Sequence, residues 1–474
     1  MSEASLTRVT GAEAERSDVM TPEAKSTIWG AFIGFFVDMY DVYLPVIALT
    51  PALIYFQPKN LPAAVATTVF YVVFAVTLIG RPIGSFIFGP LGDKIGRRKT
   101  TMIAVTGFGL VTLLIALLPG YQAIGIAALV LLILLRLIDG VFLGGEYTAA
   151  SPLAMEYCPK PKRGFYSAVI QAGYPIAYVA ISLLVAGMLL VAPAKGGLNS
   201  PYVQWGWRIP FIVGALIAFA FVIWFRRVPE SRSWMESEKT ESPIRTLFSG
   251  ESRKAFLQVF IVMTGFWLAL NTTISTLPQV LTKAGGLSST RVTMLLLVAN
   301  VVLVGGYLVF GVLGQRIGRR PTMMLLGLLI MVVSTSAYVL LVQTAPHAGL
   351  IQIGLLATVV TVLTVSGWGL LSAYINERFH IGVRASGFGI GYSLAVILPS
   401  FYSFVMLWLA SFMPYKYTQI PLLALGGLLI LTGAAMGPET RDVDIAEAQP
   451  APARTESPSE AAGSTGGRPR VVAS

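Results

Sequence analysis

The sequence predicts an all-α membrane protein of twelve transmembrane helices in two pseudo-symmetric six-helix bundles. Three observations carry that expectation. The 474 residues are 55% hydrophobic and only 12% charged, about half the charged fraction of an ordinary soluble domain. Apolar runs recur at lengths that fit bilayer crossings of about 20 residues. And Gly89-Pro-Leu-Gly-Asp93-Lys-Ile-Gly-Arg97-Arg98 returns as Gly311-Val-Leu-Gly-Gln315-Arg-Ile-Gly-Arg319-Arg320, a shift of 222 positions, while Glu156 and Arg163 return as Glu377 and Arg384, a shift of 221. Two unrelated patterns at nearly one offset mark an internal duplication.

The spans are placed near 28–56, 64–91, 100–120, 124–156, 165–192, 207–227, 255–280, 290–313, 322–343, 350–376, 385–409 and 419–437. Residues 1–26 mix acidic and basic side chains and are expected to form a disordered tail. The first bundle is set at 27–227, a charged, Ser-rich linker at 228–254, the second bundle at 255–437, and a second disordered tail at 438–474. The first apolar run begins too far from Met1, and is too long, for a cleaved signal peptide.

Charge orients the chain. Lys94, Arg97, Arg98 and Lys99, then Lys160, Lys162 and Arg163, then Arg316, Arg319 and Arg320 fall in loops on one side. The alternate loops carry little more than Lys59, Lys195, Lys283 and Lys416. Basic loops stay in the cytoplasm, so both termini are expected there, in a cell (inner or plasma) membrane. The net charge of +11 is therefore an orientation signal and not a nucleic-acid footprint. One cysteine and two histidines leave no disulfide framework and no metal-ligand spacing. No phosphate-cradling loop or nucleophile elbow appears, which argues against an enzyme or an ATP-driven pump. No cofactor is expected beyond a proton as coupling ion.

The most unusual stretch lies in the fourth span: Arg136-Leu-Ile-Asp139-Gly-Val-Phe-Leu-Gly-Gly-Glu146. Each charge in such a segment costs about 2.5–3.5 kcal/mol on insertion scales, so these groups must pair or face water. At 100° per residue, Arg136 is about 60° from Asp139, and Asp139 about 20° from Glu146, so all three share a face. Gly140 and Gly144 add a small-residue strip for close packing. The first span offers the partner set, Gly34-Phe-Phe-Val-Asp38-Met-Tyr-Asp41, with its two carboxyls one turn apart. Two carboxylates in a low-dielectric site do not ionise together easily, the property a proton carrier needs. The plain alternative is a static network holding spans 1 and 4 together.

Arg81-Pro-Ile-Gly84 with Gly89 to Lys99 resembles the signature loop between spans 2 and 3 of the major facilitator superfamily. Arg136 through Gly-Gly-Glu146-Tyr, Glu156 with Arg163-Gly164, Trp205-Gly-Trp-Arg208-Ile-Pro-Phe, Pro229-Glu-Ser231 and Pro438-Glu-Thr440 make the chain most similar to the metabolite:proton symporters, relatives of the sugar and phosphate symporters. The resemblance implies the major facilitator fold and a functional monomer that moves a small-molecule substrate across the lipid bilayer. It implies a gate latch at Gly89, Asp93, Arg97, Arg98 and Arg319. It also implies salt-bridge clasps Glu156/Arg163 and Glu377/Arg384, and a proton-coupling role for Asp41, Arg136 and Glu146, which Asp38, one turn from Asp41, is expected to share. Gln315 replaces Asp93 in the second latch, Asp38 stands where the family usually has Glu, and Asp139 where it commonly has Gln. Asp139 either tunes Arg136 or cancels it.

The second half carries little charge at depth. Its Asn271, Asn300, Trp368 and Tyr392, with Gln171 and Tyr174 of the first half, are the candidate substrate contacts, amides and rings suited to a small polar solute. The favoured function is proton-coupled import of a small organic acid by alternating access, with Arg136 as its cationic contact. A sugar, polyol or zwitterion importer, a proton-driven efflux antiporter and a non-transporting nutrient receptor are the alternatives. Gln171-Ala-Gly173-Tyr-Pro175 holds only a fragment of the Gly-x-x-x-Gly-Pro motif of antiporters, which favours import.

Overall fold

A computed structural model of the chain describes residues 19–445, apart from 59–62, 238 and 284. Lys59 and most of both expected tails lie outside the described residues. The described residues contain twelve helical spans long and apolar enough to cross a membrane: Pro22–Phe56, Ala75–Ile95, Arg97–Leu117, Ala127–Tyr157, Lys160–Val191 and Tyr202–Phe225 in the first half, then Gly250–Thr282, Arg291–Arg316, Arg319–Thr344, Leu350–Arg378, Ile381–Leu409 and Tyr415–Met436 in the second.

The ends are set by local chemistry. Thr21 caps the first helix by accepting from the amide of Ala24 at 3.1 Å, and Pro22 takes the first turn, where its missing N–H is harmless. That helix starts before the expected boundary at 27. The turns into spans 3 and 9 need Gly96 and Gly318, whose φ values of 108° and 109° lie where a side chain is strained. Between the halves, Arg232–Glu236 and Pro243–Leu247 form short helices, and the seventh-span helix already begins at Gly250. The tail expected from 438 is likewise ordered at its start, because Glu439 caps the ninth span by accepting from the amides of Arg319 and Arg320 at 2.8 and 3.1 Å.

Small residues let backbones touch. A Cβ on Gly84 would sit 1.9 Å from the Val141 carbonyl oxygen, and one on Gly144 would sit 2.2 Å from that of Arg81. Spans 2 and 4 therefore pack backbone to backbone, and the strip at Gly140 and Gly144 finds its neighbour in span 2. Between the halves, span 2 meets span 11 and span 5 meets span 8. The outer faces expose large apolar side chains such as Leu183, Leu190, Ile223, Leu355 and Phe404, as a lipid-facing surface requires.

Candidate functional site

Asp38 and Asp41 leave the first span about 60° apart, and that rotation sends them to different arginines. Asp38 pairs with Arg81 of span 2 at 2.8 Å. Asp41 accepts from Thr112 of span 3 at 2.6 Å and from Arg136 of span 4 at 3.2 Å. The same Arg136 nitrogen lies 2.7 Å from Asp139, in close ionic contact without hydrogen-bond alignment, and Arg136 Nε donates to Thr77 at 3.0 Å. All of these charged groups are buried. Arg136 is thus held between two carboxylates and does not reach the central cavity, which corrects its expected role as the substrate's cation. Glu146 stays on the shared face, two turns along the helix from Asp139, and also faces span 1. It lies over Gly34, where a Cβ would come 2.1 Å from Oε1, and neither of its oxygens has a hydrogen-bond partner among the described residues.

Between the halves lies a central cavity. Gln171, Tyr174, Asn271, Trp368 and Tyr392 all line it, as expected. Asn300 does not. Its amide donates to the Leu296 carbonyl of its own helix at 2.8 Å. Residues not singled out as substrate contacts share the wall, among them Arg81, Tyr43, Trp267 and Tyr307. The signal for Arg81 was present, since a cation 14 residues before the end of the Ala75–Ile95 span sits at depth. It belonged to a loop signature and was read with the loop. Trp267, Trp368 and Tyr392 form an edge-to-face cluster with centroids 4.7, 5.4 and 5.6 Å apart. Hydrogen bonds bridge the halves beside the cavity, from Ser85 to Ser393 at 2.8 Å and from Gln171 to Ser372 at 3.1 Å.

At the end carrying the basic loops, the latch residues draw the halves together. Gly89 lets span 2 pass the Ser386 backbone, from which a Cβ would be 2.9 Å away. Asp93 meets Arg97 at 3.0 Å and caps a helix of the other half, accepting from the amides of Ala385 and Ser386 at 3.1 and 3.0 Å and from the Ser386 hydroxyl at 2.6 Å. Gln315 repeats this without charge, accepting from the Gly164 amide at 3.0 Å and from Arg319 at 2.9 Å. Arg98 stays within the first half and donates to the Arg226 carbonyl.

Neither expected clasp forms within its own copy. Glu156 does not take Arg163; it pairs with Arg384 of the second half at 2.8 Å and lies 3.5 Å from Arg97. Glu377 does not take Arg384; it pairs with Arg319 at 3.1 Å. Arg163 donates to the Val443 carbonyl at 2.7 Å. A seven-residue spacing within one copy could not reveal that Glu156 faces the other copy, or that Glu377 faces the start of span 9.

Two bundles around a central cavity, with a charged layer at depth and a latch at one end, define a multi-pass membrane transporter. The profile of the Major Facilitator Superfamily matches residues 31–395, and the chain belongs to that family. It is 30% identical over 415 residues to the inner membrane metabolite transport protein YhjE of Escherichia coli (strain K12), covering 85% of this chain and 91% of that one. It is 31% identical over 388 residues to the alpha-ketoglutarate permease of the same organism, covering 80% and 86%. A solved structure of the proton:xylose symporter XylE superposes with a TM-score of 0.68 at 20% identity, over 90% of this chain and 98% of that one, and shows the shared fold. The protein is a metabolite transporter of this superfamily and not an enzyme.

Proposed function

We propose that the protein imports a small organic acid together with protons by alternating access, with its basic loops and both termini in the cytoplasm. The observation that carries this reading is the coexistence, within the first bundle, of a cavity wall that includes a buried arginine and a set of buried carboxyls exceeding the available cations. Arg81 and Arg136 face Asp38, Asp41, Asp139 and Glu146, all buried. Charges at such depth are tolerated when balanced, and two cations cannot balance four carboxylates, so the layer needs protons to be neutral.

Arg81 on the cavity wall favours an anionic substrate over a sugar or polyol. The name of one relative points the same way, since an alpha-ketoglutarate permease is named for an organic acid. The interbundle latch suits alternating access, because it holds the two halves together at one end of the cavity. With the basic loops inside, that closed end is the cytoplasmic one.

The test is uptake into proteoliposomes against a panel of labelled organic acids, sugars and betaines, with and without an imposed pH gradient, acid outside. The proposal predicts gradient-driven accumulation of an acid. Accumulation of only a sugar or a betaine, or of an acid with no response to the gradient, would overturn it.

A further inference from the structure

We propose that Asp38 and the carboxylate of the transported acid are alternative partners of Arg81, and that the acid is a monocarboxylate carrying a ring. The proposal rests on the reading above and names the substrate class and the exchange step of the same site.

Arg81 lines the cavity and is engaged at one point only. Its Nη2 holds one oxygen of Asp38 at 2.8 Å, while its Nε and the other Asp38 oxygen have no hydrogen-bond partner among the described residues. The Tyr147 ring, 5.1 Å from its Cζ, steadies the guanidinium. Such a one-point pair leaves donors for a second carboxylate, which a two-point pair would not. Arg81 is also the one cation among the cavity-lining described residues. A single carboxylate can be matched there and a second cannot. The wall also offers a ring-binding surface: Trp267, Trp368 and Tyr392 meet edge to face, and the Trp368 indole N–H has no partner among the described residues.

Coupling follows from charge. With the cavity empty, Arg81 and the Asp38 carboxylate neutralise each other. A substrate carboxylate on Arg81 leaves Asp38 an uncompensated buried anion unless a proton from the aqueous side lands on its free oxygen. Proton alone or acid alone leaves one buried charge without a partner; both together, or neither, leave none. The groups within electrostatic reach of Asp38 are Arg81 on span 2, Asp41 on its own helix, Asp139, Glu146 and Tyr147 on span 4, and Tyr392 on span 11. None but Arg81 is a cation, so none can replace the proton.

The test is binding of benzoate and cyclohexanecarboxylate to the purified full chain, followed by tryptophan fluorescence from pH 5 to 8, with succinate as comparator. The wild type should bind a ring monocarboxylate more tightly than succinate, with affinity falling towards about tenfold per pH unit as pH rises, because one proton is taken up with the acid. Asp38→Asn should keep the binding and flatten its pH dependence. Arg81→Gln should weaken binding at least tenfold, and Asp38→Asn combined with Arg81→Gln, which buries no lone charge, should fold and still not bind. The inference is overturned if neither ring acid binds, if succinate binds more tightly, if Asp38→Asn keeps the wild-type pH dependence, or if Arg81→Gln binds normally. Gradient-driven uptake of an acid that does not depend on Arg81 would sink this inference alone. Absence of gradient-driven uptake of any acid would sink the reading beneath it.

Discussion

Arg136 is the single cation between Asp41 and Asp139, at 3.2 and 2.7 Å. Removing one partner from a buried charge set costs on the order of 3–5 kcal/mol, because what remains is uncompensated. Arg136→Gln should therefore lower the thermal midpoint in detergent markedly, and adding Asp139→Asn should recover part of the loss. Equal midpoints for the single variant and the wild type would mean the layer is not charge-balanced as described. The two asparagines separate in the same way. Asn271 lines the cavity, while the Asn300 side chain bonds the Leu296 carbonyl. Asn300→Ala should leave the Km for uptake within about twofold of wild type, and Asn271→Ala should raise it several-fold, as expected where a placed polar contact is lost.

The elements were legible where one physical rule acted alone. Apolar length located all twelve spans, since each must satisfy its backbone internally in lipid. The Gly140 and Gly144 strip announced a close neighbour, and span 2 is that neighbour. A methyl at Gly144 would meet the Arg81 backbone at 2.2 Å, so Gly144→Ala should cost about 1–3 kcal/mol by overpacking and reduce the yield of folded protein on size exclusion. What stayed hidden were facts about facing elements. Helix periodicity put Asp38 and Asp41 on one face and the family resemblance set that face against span 4, but which arginine each takes depends on how spans 2 and 4 close against span 1. The Glu156 to Arg384 pair depends on how the copies face each other, and Asn300 turned inward to its own helix instead of to the cavity.

At the scale of the molecule, one end is held together by Asp93 on the Ala385 and Ser386 amides, Gln315 on the Gly164 amide, and the Glu156 to Arg384 pair. Cys158 lies at this end, buried, and burial pushes its thiol up to about 12. At neutral pH it is then almost wholly the unreactive thiol. Maleimide should label it slowly in the wild type and several-fold faster in Glu156→Gln, where the latch is weakened; unchanged rates would separate the latch from opening. The central claim is that the buried carboxyl layer couples transport to protons. Its most direct test compares gradient-driven accumulation with substrate counterflow for Asp41→Asn and Asp38→Asn in proteoliposomes. The account predicts that each variant loses accumulation and keeps counterflow. Full gradient-driven accumulation by both variants would contradict it.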